Sequence, residues 1–179
     1  MEVFVQIKEL IGRYLELEDL SPMEKKQLND ISIRLKGYPF ESLLYNKKDS
    51  KEYVIDAHWA LYCENYLEGF HVPFIHKGLN KDIDLKSYKT KLLENGVLQF
   101  ANDALSKNSK TYAYYYWIFP NLMLNFYPWG LSVNIIVPIS VNETKIIYQG
   151  YVKDSTLANQ GAGGELDLVE TQDQEIVEM

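Results

Sequence analysis

The chain has 179 residues, of which 46% are hydrophobic and 24% charged, a composition that suits one globular domain with a sizeable core. Its formal net charge of −7 argues against nucleic acid or an anionic membrane as a partner, because phosphate groups require a basic surface. The single cysteine, Cys63, excludes a disulfide framework or an iron–sulfur cluster built from this chain alone, and it fits a reducing, cytoplasmic setting.

The N-terminal part is predicted to form two helices that serve packing. Residues 3–19 place apolar side chains at helical spacing, without the basic flank and continuous apolar run of a signal peptide. Ser21-Pro22-Met23-Glu24 is typical of a capping box, so a second helix is expected to begin there and to end near Gly37. We expect residues 1–35 to be an N-terminal helical segment, followed by a domain over residues 36–179.

The middle of the chain is predicted to be mostly sheet. Residues 51–56 suggest a short strand, and a helix is expected from about Ala57. Residues 77–109 are predicted to be connecting structure around a short strand, 97–101. Residues 111–152 alternate like a three-strand antiparallel meander, and prolines and asparagines interrupt their uncharged part too often for a membrane span. A loop over 158–164 and a closing helix complete an α+β order.

Two of the three histidines, His71 and His76, lie five residues apart with Pro73 between them. On an unbroken helix their rings would point about 140° apart, so one metal could not bind both. A helix break caused by Pro73 would allow both rings to face one ion. Asn65, Glu68 and His71 are spaced by three, which predicts that Glu68 can reach the His71 ring. The alternative is that both histidines are ordinary, partly buried residues.

The closing helix places a carboxylate inside its apolar stripe. The stripe consists of Leu166, Val169, Ile176 and Val177, and Asp173 falls within it. A carboxylate directed at a core is costly unless it is paired or bound to a cation. Either the helix rolls and leaves Asp173 at its edge, or Asp173 completes a face of two histidines and one carboxylate, which holds Fe(II) and leaves coordination positions open.

Three stretches of the sequence resemble one family. NYLEGFHVPFIH followed by GLN, then WIFPNLMLNFYPWGL, then LDLVETQDQEIVE resemble, in this order, segments of the Rieske-type non-haem iron oxygenases, the ring-hydroxylating oxygenase α subunits. The resemblance implies a helix-grip (START/SRPBCC-like) catalytic domain, a curved antiparallel sheet packed on a long helix. It also implies that His71, His76 and Asp173 bind mononuclear Fe(2+), that Glu68 couples His71 to an electron donor, and that Asn65 lies near the iron.

The resemblance further implies cofactors and partners that this chain does not supply. Electrons would pass from NAD(P)H through a reductase or ferredoxin to a Rieske 2Fe-2S cluster on a missing domain or on the neighbouring subunit of a homotrimer. The iron would then activate O2 to hydroxylate or demethylate a small organic substrate. The cysteine–histidine pairs of a Rieske domain are missing, and residues 36–179 are expected to be a C-terminally truncated catalytic domain. Gln172 and His58 also depart from the family's usual residues.

Nine aromatic residues fall between Tyr112 and Trp129. Core and sheet packing explains such a run, whereas a functional interpretation is that its inward-facing members line a substrate pocket. The candidates are Tyr114, Tyr116, Trp117, Phe119, Phe126 and Tyr127. Aromatic faces suit a quaternary ammonium group, and the local pattern is similar to the choline and betaine monooxygenase-like branch. Cys63 is predicted to be a small buried helix residue and His58 to be structural or exposed.

Two other functions remain open from the residues. One is a non-catalytic helix-grip module, or an inactive truncated fragment, that binds a small apolar ligand. The other is a zinc hydrolase that uses the same three ligands.

Overall fold

The computed structural model of the chain describes residues 22–69, 74, 83–103, 111–153 and 166–178. Its elements in chain order are α1 (Pro22–Arg34), a 3-10 turn (Phe40–Ser42), β1 (Leu44–Ile55), α2 (Trp59–Leu67), β2 (Ile83–Leu93), β3 (Gly96–Asp103), β4 (Thr111–Ile118), β5 (Leu122–Tyr127), β6 (Gly130–Pro138), β7 (Thr144–Val152) and α3 (Leu166–Val177). The α+β class is confirmed. The helix predicted over residues 3–19 and the loop predicted over 158–164 lie outside the described residues.

The seven described strands form one sheet in the order β1-β7-β6-β5-β4-β3-β2, and every neighbouring pair is antiparallel. The pairing register shifts between Asn46 and Lys51 on β1 and between Asp84 and Lys89 on β2. Each register shift marks a β-bulge or similar irregularity, where one strand has extra residues relative to its partner. Such residues bend a strand and increase its twist, so the two outer strands curve. The curved antiparallel sheet expected from the sequence is confirmed.

Several details of the predicted sheet are wrong, among them the strand predicted over 51–56, which begins at Leu44 as β1. The meander has four strands, because a turn at Phe119-Pro120-Asn121 separates β4 from β5. Asn121 secures this turn by donating from Nδ2 to the Ile136 carbonyl at 2.9 Å. The stretch predicted as connecting structure contains a whole strand, β2, and the strand predicted over 97–101 extends over Gly96–Asp103. β2 is an edge strand with several exposed charges, a composition that protects sheet edges and hides the strand pattern.

The two faces of the sheet carry different layers. On the α1 face, Ile31 and Leu35 pack against alternate residues of the central strands, including Tyr116, Leu124 and Val133. Each large apolar side chain buried in this way contributes about 1.5–3 kcal/mol. Since Ile31 is fully buried there, α1 shares the core of the sheet. The domain boundary predicted between residues 35 and 36 remains a prediction.

The opposite face, called the α2 face below, packs against α2 and α3. Tyr62 and Cys63 of α2 and Val177 of α3 contact a cluster that contains Met123 and Ile136. The stretch predicted to be sheet rather than membrane span does form strands β4 to β6. No helix within the described ranges is long and apolar enough to cross a membrane.

Candidate metal centre

Helix α2 begins with a side-chain cap. His58 adopts an extended backbone, and its Nδ1 accepts a hydrogen bond from the Ala60 amide at 3.2 Å. This bond satisfies one of the amides that have no partner within the first turn of a helix. The structural role predicted for His58 is therefore observed, and the helix starts two residues later than expected, at Trp59.

Helix α2 ends at Leu67, before the histidines. Glu68 is the C-cap, with an extended backbone at φ −99° and ψ 133°, and its amide donates to the Glu64 carbonyl at 3.1 Å. The helical spacing expected from Asn65 onwards therefore stops at Glu68, and the prediction that Glu68 reaches His71 stays a prediction, because His71 lies outside the described residues. Pro73, which was expected to break the helix, lies outside the described residues, so its role stays a prediction.

Asn65 and Asp173 meet where α2 packs against α3. Asn65 Nδ2 donates to Asp173 Oδ1 at 2.7 Å across 108 residues of sequence. Both residues are half-buried. The helix therefore does not leave the Asp173 carboxylate as an isolated charge at its edge. An amide that donates to one carboxylate oxygen fixes the orientation of the other, as partners of metal-ligating carboxylates do.

The remaining ligands predicted from the sequence, His71 and His76, lie outside the described residues. No group of three histidine, cysteine, aspartate or glutamate side chains close enough to hold a metal occurs within the described part. The described part nevertheless fits a metal centre, because Asp173 is oriented at the helix pair and the carboxylate is a suitable partner for two imidazoles around Fe(II). Glu68 is exposed, and its coupling to an electron donor stays a prediction.

A buried polar network lies on the α2 face beneath these helices. Tyr66 donates from its hydroxyl to Asn125 Oδ1 at 2.7 Å, and Asn125 Nδ2 donates to Ser132 Oγ at 3.0 Å. Nearby, Asn134 Nδ2 donates to the Tyr62 hydroxyl at 3.3 Å. Buried polar groups that are bonded to one another hold a single arrangement, because breaking any one bond leaves a partner unsatisfied. The network ties α2 to β5 and β6.

Cys63 is a buried thiol, as predicted. Burial raises its pKa to about 11, so it is protonated near neutral pH and is not a thiolate ligand. Its Sγ lies 3.9 Å from the Pro120 carbonyl.

Strand alternation divides the aromatic residues predicted to line a pocket. Trp117 and Tyr127 lie on the α2 face, with the candidate metal centre. Tyr114, Tyr116 and Phe126 lie on the α1 face and pack into its core, and Phe119 is 53% exposed at the turn. Trp117 and Tyr127 of the predicted set are therefore on the same face as Asn65 and Asp173, and the Phe119 ring meets the Trp117 ring edge-on at 5.8 Å. Whether they line a pocket stays a prediction.

A cleft of about 400 Å³ opens between α1 and the ends of β4 and β5. Tyr114, Phe126 and Tyr127 border it, together with the cationic residues Arg34, Lys36 and Lys153. Lys153 also lies over the Tyr38 ring, 6.0 Å from its centroid. Like charges repel, so this rim disfavours a cationic ligand. The cleft is not a suitable place for a quaternary ammonium group.

The α2 face contains aromatic residues that the sequence interpretation missed. Trp129 stacks on Tyr127 with ring centroids 5.2 Å apart and an interplanar angle of 9°. Tyr115 meets Tyr127 edge-on at 5.8 Å. Tyr66 and Tyr88 pack against this cluster. Two-residue alternation from Trp117 and Tyr127 would have pointed to Tyr115 and Trp129, because residues two apart share a face.

Comparison with known proteins confirms the resemblance drawn from the sequence. Residues 94–178 match the family model described as ring hydroxylating alpha subunit (catalytic domain). The chain is 32% identical over 120 residues to the chloroplastic choline monooxygenase of Arabidopsis thaliana, covering 63% of this chain and 28% of the relative. It is 26% identical over 147 residues to that of Amaranthus tricolor, covering 78% and 33%. The chain thus spans about a third or less of the curated relatives it matches.

Solved structures share the fold. The quaternary ammonium Rieske monooxygenase CntA, in complex with an inhibitor, superposes with a TM-score of 0.70 at 19% identity, covering 90% of this chain and 47% of that one. Naphthalene 1,2-dioxygenase from Rhodococcus sp. gives 0.54 at 14% identity, covering 76% and 43%. The catalytic-domain fold predicted from the sequence is therefore confirmed.

Proposed function

We propose that the chain is the iron-binding catalytic domain of a Rieske-type oxygenase, an oxidoreductase that hydroxylates or demethylates a small substrate carrying a quaternary ammonium group. The observation that carries the proposal is the hydrogen bond from Asn65 Nδ2 to Asp173 Oδ1. This bond joins two of the three stretches whose sequence resembles the family. It also places the Asp173 carboxylate beside the C-terminal part of α2, and the segment with both histidines follows α2 in the sequence.

In this proposal His71, His76 and Asp173 hold the metal, which supplies the activation of O2 when bound. Asn65 orients the Asp173 carboxylate, and the exposed Glu68 couples His71 to the electron donor. Electrons come from NAD(P)H through a reductase or ferredoxin and a 2Fe-2S cluster outside this chain, on a Rieske domain or a neighbouring subunit of a homotrimer. The cytoplasmic setting rests on the single cysteine alone.

The substrate class is argued from the aromatic cluster on the α2 face. Tyr115, Tyr127 and Trp129 present ring edges and faces beside the C-terminal half of α2. The face of an aromatic ring attracts a cation, and a quaternary ammonium group is large enough to contact several rings. The relatives named choline monooxygenase and the quaternary ammonium monooxygenase CntA support the same class.

Metal analysis of protein purified without oxygen tests the proposal. The expected result is one equivalent of iron in the unaltered chain and none in Asp173→Ala, because the carboxylate ligand is then lost. Stoichiometric zinc would instead support a hydrolase with the same ligands. An empty site in the unaltered chain would support a non-catalytic ligand-binding module. Full iron occupancy in Asp173→Ala would overturn the ligand assignment.

A further inference from the structure

The C-terminal end of α2 is bonded to the β2–β3 hairpin through two side chains. The last carbonyls of a helix have no partner within it, and here the Tyr66 carbonyl accepts a hydrogen bond from Gln99 Nε2 at 2.8 Å. Gln99, on β3, is only 1% exposed. Its Oε1 in turn accepts from the Tyr88 hydroxyl of β2 at 2.9 Å. The chain Tyr88–Gln99–Tyr66 therefore fixes the helix end to the sheet.

The backbone that leaves α2 packs directly on the Tyr88 ring. A Cβ added at Gly69 would lie 2.9 Å from Tyr88 Cε1 and 3.2 Å from Cζ, so only glycine allows this approach. Burial and the neighbouring charge of Glu68 both raise the pKa of Tyr88, so its hydroxyl remains protonated and able to donate to Gln99. Tyr88 is thus linked to the exit of the helix in two ways, indirectly through the bond from its hydroxyl to Gln99 and directly through the packing of its ring on Gly69.

We propose that Tyr88 and Gln99 are positioning residues for the metal centre. They determine where α2 ends and how Gly69 leaves it, and the seven residues that follow Gly69 in the sequence, 70–76, include the proposed ligands His71 and His76. The inference rests on the proposed function, since it concerns the same metal. Tyr88 and Gln99 act through the Tyr66 carbonyl and Gly69.

A matched pair of residues on the α1 face provides the control. Tyr151 donates from its hydroxyl to Gln149 Oε1 at 2.9 Å, the same bond at the same distance as that from Tyr88 to Gln99. Gln149 is 4% exposed. Gln149 pairs with Val133, whose side chain packs in the α1-face core, whereas Gln99 pairs with Tyr115 of the α2 face. Gln149→Leu therefore removes an equivalent buried bond away from the helix exit.

The experiment is an anaerobic Fe(II) titration of the full chain by calorimetry, combined with hydrogen exchange of the Glu68 amide. We expect Gln99→Leu and Tyr88→Phe to weaken Fe(II) binding about 10- to 100-fold, as loss of partners that orient metal ligands does. Their Glu68 amide, bonded to the Glu64 carbonyl, should also exchange faster. Gln149→Leu should leave both quantities unchanged within about twofold. Tyr88→Phe keeps the ring and so provides a test if Gln99→Leu does not fold.

The outcomes separate this inference from the proposed function. If the unaltered chain binds Fe(II) and both variants bind it as tightly as Gln149→Leu, the inference is overturned and the proposed function stands. If all the folded variants lose affinity equally, the effect is general destabilisation and the inference is also overturned. If the unaltered chain binds no Fe(II), the proposed function fails first and the inference fails with it.

Discussion

Asn65 and Asp173 illustrate at the residue scale how a distant pair can define a site. Asn65 Nδ2 donates to Asp173 Oδ1 at 2.7 Å, and this bond connects α2 to α3. If Asp173 is a metal ligand, the amide holds its carboxylate in the binding orientation before the metal arrives. Its contribution should then appear in metal affinity more than in stability.

Replacing Asn65 with leucine tests this role. Asn65→Leu removes the donor while keeping a side chain of similar size, so we expect Fe(II) affinity to fall about 10- to 100-fold in an anaerobic titration. Asn121→Leu is the matched control, because Asn121 Nδ2 makes a bond of similar length, 2.9 Å, to the Ile136 carbonyl at the β4–β5 turn. Equal Fe(II) affinity in the two variants would show that Asn65 does not orient a ligand.

Single residues differ in how far the sequence predicts their role. Asp173 could be identified because a carboxylate interrupts an apolar stripe, and such a departure from helical periodicity is visible in the sequence alone. Gln99 and Tyr88 could not be identified, because they belong to no motif. Their contacts with Tyr66 and Gly69 arise only when β2 and β3 pair and α2 packs on them.

At the scale of elements, α1 is attached to the sheet through Asp30. The Asp30 carboxylate accepts from Arg34 Nε at 2.8 Å and from the Tyr116 hydroxyl of β4 at 3.1 Å, and Lys91 Nζ of β2 lies 3.6 Å away. Burial alone would raise the pKa of Asp30, but Arg34, Tyr116 and Lys91 together hold it below its usual value of 3.8. The ionised form is therefore favoured by folding.

The sign of this shift predicts how stability depends on pH. Because the folded pKa lies below the unfolded one, the contribution of Asp30 is present above about pH 3.8 and is lost as the pH falls through the folded pKa. Asp30→Asn should lower the free energy of unfolding by about 1 kcal/mol at pH 7. In urea titrations this difference should shrink towards zero below the unfolded pKa. A difference that stays constant down to the lowest pH at which the chain folds would contradict the assignment.

A glycine controls the pairing of β6 with β7. A Cβ at Gly130 would lie 2.1 Å from the Tyr151 carbonyl oxygen, an approach that requires the backbone to move. We expect Gly130→Ala to lower the free energy of unfolding by more than about 2 kcal/mol in urea titrations. Gly37→Ala is the control, since Gly37 has φ +83° and open space, so its strain costs only about 1 kcal/mol. Equal losses of unfolding free energy in the two variants would contradict this, because they would mean that β6 and β7 can move apart at Gly130 without a free-energy cost.

Elements were predicted where their signals are local, and missed where they are not. The end of α1 near Gly37 and the turn at Pro128-Trp129 follow from turn chemistry, and both are observed. The turn at Phe119-Pro120-Asn121 was missed because aromatic residues continue on both sides of it. The alternation of β4 is clear, but both faces of the sheet are covered, so no pattern tells which face holds the candidate metal centre.

At the scale of the whole molecule, the described sheet acts as a platform with separate faces. The α1 face is a packed apolar core, whereas the α2 face combines a polar network, an aromatic cluster and the Asn65–Asp173 bond. The resemblance to the family and the fold could be predicted because three motifs occur in the correct order. The proposed substrate and electron donor could not be identified from the sequence, because they depend on pocket shape and on partners beyond the chain's own residues.

The most direct measurement is iron K-edge X-ray absorption of the chain loaded anaerobically with Fe(II). We expect nitrogen and oxygen ligands only, with the scattering pattern of two imidazoles, and a reduced imidazole signal in both His71→Ala and His76→Ala. A spectrum with fewer than two imidazoles in the unaltered chain, or one that neither histidine substitution changes, would contradict the proposed centre.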